Sequence, residues 1–82
     1  MNAGYETKIT HVFSRKGKEA RRALAENRFH PSGGGQPGDT GYLTAPGFSG
    51  EVMDCVRDGE FPVLTVRIAE GDPYDGLPVR AE

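Results

Sequence analysis

The sequence predicts a small all-β domain. Three observations carry that prediction. Short runs of β-branched and aromatic residues recur along the chain. Turn residues separate them at close spacing. Glycine and proline supply 18 of 82 residues and gather in turns and one loop rather than in a repeat. Five or six short antiparallel strands at this spacing suit a small barrel or sandwich, and a barrel would close the edges of so small a sheet.

The elements follow in order. Lys-Ile-Thr-His-Val-Phe over 8–13 reads as the first strand, with Ile9, His11 and Phe13 on one face. Residues 14–18 form a polar turn. Residues 19–27, rich in Ala, Arg, Glu and Leu, have the composition of a helix and only weak alternation, so one short helix or a strand can stand here. The segment 32–41 holds five glycines and one proline and is read as loop. A strand resumes at Tyr42-Leu43-Thr44, and residues 45–50 turn the chain. Two further strands, 51–57 and 61–68, flank Asp58-Gly59, the best hairpin signal present. Pro62 cannot donate to a ladder and belongs at a strand start or an edge. Residues 71–76 turn again, and 77–81 can close the sheet.

At 82 residues the chain is expected to be a single domain, 1–82, with a thin core, since 35% of its residues are apolar. The net charge of −2 is unevenly spread. Residues 1–41 carry seven Lys and Arg against four Asp and Glu, and residues 42–82 carry three against eight. The basic half includes Arg15, Lys16, Lys18, Arg21, Arg22 and Arg28, which can meet phosphates or simply guard a solvated strand edge. Cys55 is the only cysteine, which excludes an internal disulfide and fits a reducing compartment. In a strand pattern such a cysteine reads as a small buried apolar residue. No stretch has the apolar length of a signal peptide or a membrane span, so a cytoplasmic, soluble protein with no membrane partner is expected.

The loop carries the chemistry. Three consecutive glycines serve where positive φ is needed or where backbone must come close to something, and here they predict close approach of backbone N–H groups to a ligand. Gln36 adds an amide with donors and an acceptor. Pro31 and Pro37 stiffen the shoulders, Asp39 can hold the far end through backbone N–H groups, and Thr40 presents a hydroxyl. A bare Gly-Gly-Gly is better explained as a flexible connector. No Gly-Lys-Ser/Thr follows, which excludes a Walker loop, and no strand-loop-helix unit supports a dinucleotide fingerprint.

The longer string is more specific. Phe29-His30-Pro31-Ser32-Gly33-Gly34-Gly35-Gln36-Pro37-Gly38-Asp39-Thr40-Gly41 resembles the glycine-rich loop of the alanyl-tRNA editing family, found in alanyl-tRNA synthetases and free-standing AlaX proteins. The family pattern, about Phe-Tyr-Pro-x-Gly-Gly-Gly-Gln-x-x-Asp-x-Gly, is met at Phe29, Pro31, Gly33, Gly34, Gly35, Gln36, Asp39 and Gly41. His30 replaces the usual Tyr, and Asn27 stands where Thr is common. Gly4-Tyr5-Glu6-Thr7 and the Gly71-Asp72…Gly76…Val79-Arg80 segment fall in the family's order. The resemblance implies a small β-barrel like those of translation factors, with a strand rather than a helix at 19–27 and a functional loop over 30–41. It also implies a second domain that binds zinc through His-x-x-x-His and Cys-x-x-x-His and hydrolyses seryl- or glycyl-tRNA for alanine.

That zinc motif is not in these residues. His11, His30 and Cys55 lack the spacing of a metal site, so no metal or cofactor is expected in this chain, and zinc is expected in the separate editing domain, reached in cis or in trans. The chain is then either an excised domain or a short protein that keeps the barrel alone. Three functions follow. The first is an accessory domain of an aminoacyl-tRNA deacylase acting in translation, with Gly33, Gly34, Gly35, Gln36, Asp39 and Thr40 near the aminoacyl ester. The second is a non-catalytic RNA-binding module in which Arg21, Arg22, Arg28 and the loop backbone hold tRNA phosphates. The third, independent hydrolysis by a Gly-Gly-Gln tripeptide of the kind peptide release factors use, lacks both the surrounding residues and a general base.

Overall fold

A computed structural model describes residues 4–59 and 61–82. They form six strands and no helix: β1 Tyr5–Lys16, β2 Glu19–Leu24, β3 Gly41–Ala45, β4 Phe48–Asp58, β5 Phe61–Glu70 and β6 Pro78–Ala81. The strands close into a barrel in the order β1-β2-β5-β4-β3-β6, with every neighbouring pair antiparallel.

Most positions facing the interior come from the period-2 pattern. In β5, Leu64, Val66 and Ile68 point inward while Arg67 points out. They meet Ile9, Leu43, Val52, Cys55 and Val79 in one apolar cluster, closed by Phe48 and Phe29. Residues 19–24 are strand despite helical composition. Each ladder partner explains why: β1 takes one edge and β5 the other, so this segment's backbone groups are satisfied on both sides.

Four register shifts interrupt the ladders, two in the β1–β2 pairing and two in the β4–β5 pairing, and one of each bears on the core. In β4 a register shift between Val52 and Asp54 lets both Val52 and Cys55 face the core, although they lie three residues apart. In β1 a shift between Ile9 and His11 has the opposite outcome. Ile9 is buried, but His11 and Phe13 lie on the outer wall, so the expected common face of Ile9, His11 and Phe13 does not exist. The first strand is also longer than its 8–13 core, extending through Ser14, Arg15 and Lys16. β6 pairs with β1 only over Tyr5–Lys8, so the later part of β1 has a strand ladder with β2 alone, besides the backbone bonds of Ile9 to Leu77 and Gly76.

The hairpin read at Asp58-Gly59 is present one step along. Asp58 pairs with Phe61, leaving positions 59 and 60 between them, and Gly59 has φ 71°. Glu60 lies outside the described residues. Pro62 sits next to the start of β5, opposite Arg57 and before the ladder with β2 begins at Leu64.

Candidate functional site

The segment joining β2 to β3 must cross one end of the barrel, because these strands are not neighbours. Its first part is a plug. Phe29 is 8% exposed and joins the core, with its N–H donating to Asn27 Oδ1 at 2.9 Å. Just before it, Arg28 lies over the Tyr5 ring, 4.5 Å from the centroid, and pairs with Glu26. Its backbone N–H donates to Tyr5 Oη at 2.9 Å. Burial pushes the Tyr5 hydroxyl above its ordinary value, with the Arg28 contacts pulling the other way.

β4 supplies the seat. Ser32 N donates to Cys55 O at 2.8 Å, and the Cys55 thiol faces Phe29 O at 3.7 Å. Gly38 is buried so closely on this strand that a Cβ there would collide with Cys55 O and Asp54 Oδ1. Burial pushes the Cys55 thiol up, with the neighbouring Asn27 side chain opposing it, so the sulfur is a poor nucleophile. The base of the loop is closed by two bonds: Asp39 N donates to His30 O at 3.0 Å, and His30 N donates to Asp39 Oδ2 at 2.9 Å.

The tip is ordered rather than irregular. Gly33 and Gln36 form a two-way bridge, Gly33 N to Gln36 O at 3.1 Å and Gln36 N to Gly33 O at 2.8 Å. The residues between them, Gly34 and Gly35, have φ of 55° and 82°. Two consecutive positive φ values are the signature of a type I′ turn, which glycine adopts without strain. Nothing lies within 4 Å of where their side chains would be. These glycines therefore answer a need for positive φ, not crowding. The segment 32–41 is loop as expected up to the start of β3 at Gly41, with regular pairing only at Gly33 and Gln36. Of the donors, Gly33 and Gln36 spend their N–H groups on each other. Gly34, Gly35 and the exposed Gln36 amide have no hydrogen-bond partner among the described residues. Thr40 is exposed beyond the loop base.

The basic candidates do not assemble into one patch. Arg22 is 3% exposed, and its guanidinium donates to Pro73 O and to Arg21 O, each at 2.7 Å. Desolvation lowers its pKa, opposed by Asp72. Arg22 is thus a strut tying β2 to the 71–77 segment and is withdrawn from the phosphate-binding candidates. Arg21 is exposed on the outer wall opposite Thr65. Arg28 sits at the loop end of the barrel, while Arg15, Lys16 and Lys18 lie at the β1–β2 tip, the other end of a 12-residue strand. His11, His30 and Cys55 are equally scattered: outer wall, loop base and core. Among the described residues no three His, Cys, Asp or Glu side chains converge on a metal position, and these residues do not fit the zinc site the resemblance implies.

The outer wall holds what the sequence reading missed. His11, Phe13 and Phe61 cluster there, and only the bulge in β1 puts the first two on that side. Their i, i+2 spacing is visible in the sequence; the shift in face is not.

A closed six-stranded barrel bearing a braced glycine-rich turn at one end is the class of domain defined here. No family model matches the chain. It is 40% identical over 77 residues, 89% of its length, to the alanine–tRNA ligase of Methanospirillum hungatei. It is 33% identical over 83 aligned positions, 85% of its length, to that of Leptospira biflexa, and 40% identical over 60 residues to that of Halobacterium salinarum. The chain is related to a segment of alanine–tRNA ligases, spanning less than a tenth of the length of these relatives: 8%, 9% and 6%. No helix among the described residues is long and apolar enough to cross a membrane.

Proposed function

We propose that this chain is an accessory barrel domain of an alanyl-tRNA synthetase-related, AlaX-like editing protein of the cytoplasm. Its glycine-rich loop helps form the site where mischarged seryl- or glycyl-tRNA for alanine is deacylated. The observation that supports this best is the loop tip. Two N–H groups, of Gly34 and Gly35, and the Gln36 amide are left unsatisfied on a turn whose base is locked to β4 and closed by Asp39. Such donors can hold an ester carbonyl or a terminal ribose oxygen without reorganising. Thr40 is a secondary contact. The relation to alanine–tRNA ligases supports tRNA as the partner of the parent protein.

The chain's own residues bind and orient. In this reading the two reactive groups at the loop's seat and base supply neither nucleophile nor base: the Cys55 thiol is buried, and the Asp39 carboxylate is engaged with His30. The hydrolytic chemistry belongs to a zinc-bearing editing domain in cis or in trans. The reading as a separate tRNA-binding module is weaker, because Arg22 is internal and Arg21 and Arg28 stand apart.

Mixing the 82-residue domain with a zinc editing domain that lacks its own barrel, and following seryl-tRNA deacylation, tests the proposal. Stimulation that Gln36→Ala abolishes is expected. Absence of stimulation, together with a silent Gln36→Ala in an intact parent protein, would end it.

A further inference from the structure

The chain has four phenylalanines. Phe29 and Phe48 are inside the barrel, and Phe13 and Phe61 are on its outer wall. With His11 they form a compact aromatic group. The His11 and Phe13 rings are nearly parallel, 13° apart with centroids 6.0 Å apart. His11 and Phe61 approach to 4.7 Å, and Phe13 and Phe61 to 6.0 Å. Ala23, opposite His11, and Val63, two residues from Phe61, are buried yet lie outside the inner cluster. They are on the outer face, so the three aromatic side chains roof them. The roof is wet on its far side: Phe13 is 39% exposed and His11 is exposed too.

The charges beside this roof are mixed, with Glu19 on the same face of β2 as Arg21. Arg21 is two residues from Ala23 and so shares its face, opposite Thr65. Lys16 and Lys18 continue from it to the hairpin tip. None of these three makes an ion pair among the described residues, although Glu19 lies opposite Lys16 and Asp58 lies opposite Phe61. Aromatic faces beside unpaired cations suit an unpaired nucleic-acid strand. Bases of an unpaired strand stack on the rings while its phosphates follow the cations. A duplex buries its base faces and cannot use the rings in this way.

We propose that the outer wall formed by His11, Phe13 and Phe61, with Arg21 beside it, is a stacking platform for a single-stranded RNA segment. It is separate from the glycine-rich turn and does not depend on that turn's role in deacylation.

Fluorescence anisotropy with a short labelled single-stranded oligoadenylate tests it on the whole chain. Phe13→Leu and Phe61→Leu keep apolar cover over Ala23 and Val63, and circular dichroism verifies their fold. Each is expected to weaken binding about tenfold, as loss of one stacked base implies. Arg21→Gln is expected to reduce the slope of log affinity against log salt by about 0.7. Tyr74→Ser, at an exposed aromatic on the 71–77 segment, leaves binding unchanged. No binding of the single strand by the wild type at low salt would overturn the proposal. So would equal affinity in both Leu variants, equal affinity for the corresponding duplex, or sedimentation showing that the platform instead seats a second copy of the chain. Because the readout is binding of plain RNA, failure of the deacylation experiment leaves this result standing.

Discussion

Three glycines of the loop should respond to alanine in three different ways. Gly38 is the most sensitive. Its added Cβ would strike Cys55 O and Asp54 Oδ1, and lie 2.8 Å from Cys55 N. Backbone of a central strand cannot yield, so the loop must lift. Overpacking of this kind costs about 1–3 kcal/mol, and lifting the loop also breaks the Ser32–Cys55 hydrogen bond, about 1 kcal/mol more. At about 4–8 °C per kcal/mol for a domain of this size, Gly38→Ala should lower Tm by roughly 10 °C or more. Gly35 has φ 82° and open space around it, so Gly35→Ala carries only the left-handed penalty, about 1–2 kcal/mol. Gly33 has neither positive φ nor a neighbour within 4 Å. Gly33→Ala should be neutral, or stabilising by up to about 1 kcal/mol through the unfolded chain. Thermal and urea denaturation followed by circular dichroism ranks the three. A neutral Gly38→Ala, or a Gly33→Ala as damaging as Gly38→Ala, would refute the assignment of their roles.

Other expectations follow from individual contacts. Arg22→Ala removes a buried guanidinium and strands Pro73 O, and should cost about 2–4 kcal/mol in urea unfolding; Arg22→Lys should recover little, since a point ammonium cannot replace the fork that reaches Pro73 O and Arg21 O together. The Cys55 thiol should resist alkylation until the barrel unfolds. Its folded pKa is raised, so the folded state holds its proton where the unfolded state has released it, and stability should fall as pH climbs through 9, the ordinary thiol value. Cys55→Ala should flatten that alkaline decline relative to the wild type. Gln36→Ala, at an exposed side chain with no internal partner, should change stability by less than about 0.5 kcal/mol while abolishing stimulation of deacylation.

The structure changes what the glycine-rich string means physically. Its middle glycines build a turn, and Gly38 docks the loop on the barrel. Gly33 and Gln36 satisfy each other, and the Gly34 and Gly35 N–H groups have no partner among the described residues. The tip is therefore held before anything binds, which lowers the ordering cost that a flexible glycine run would impose.

By itself the sequence determined the class and most of the strands. Alternation in 61–68, glycine-rich turns and the Asp58-Gly59 signal depend on local rules, and local rules are written in neighbouring residues. It also marked the loop and placed Cys55 in the interior. It could not decide 19–24, where helical composition yields to two ladders made with distant strands. The fate of Arg22 was equally beyond it, because the acceptor that buries it, Pro73 O, lies 51 residues away. Nor could it show that a bulge after Ile9 turns His11 and Phe13 outward, since a single inserted residue reverses every later side chain and appears only when a strand is paired. Long-range pairing, not residue type, settled which charges and rings reach the surface.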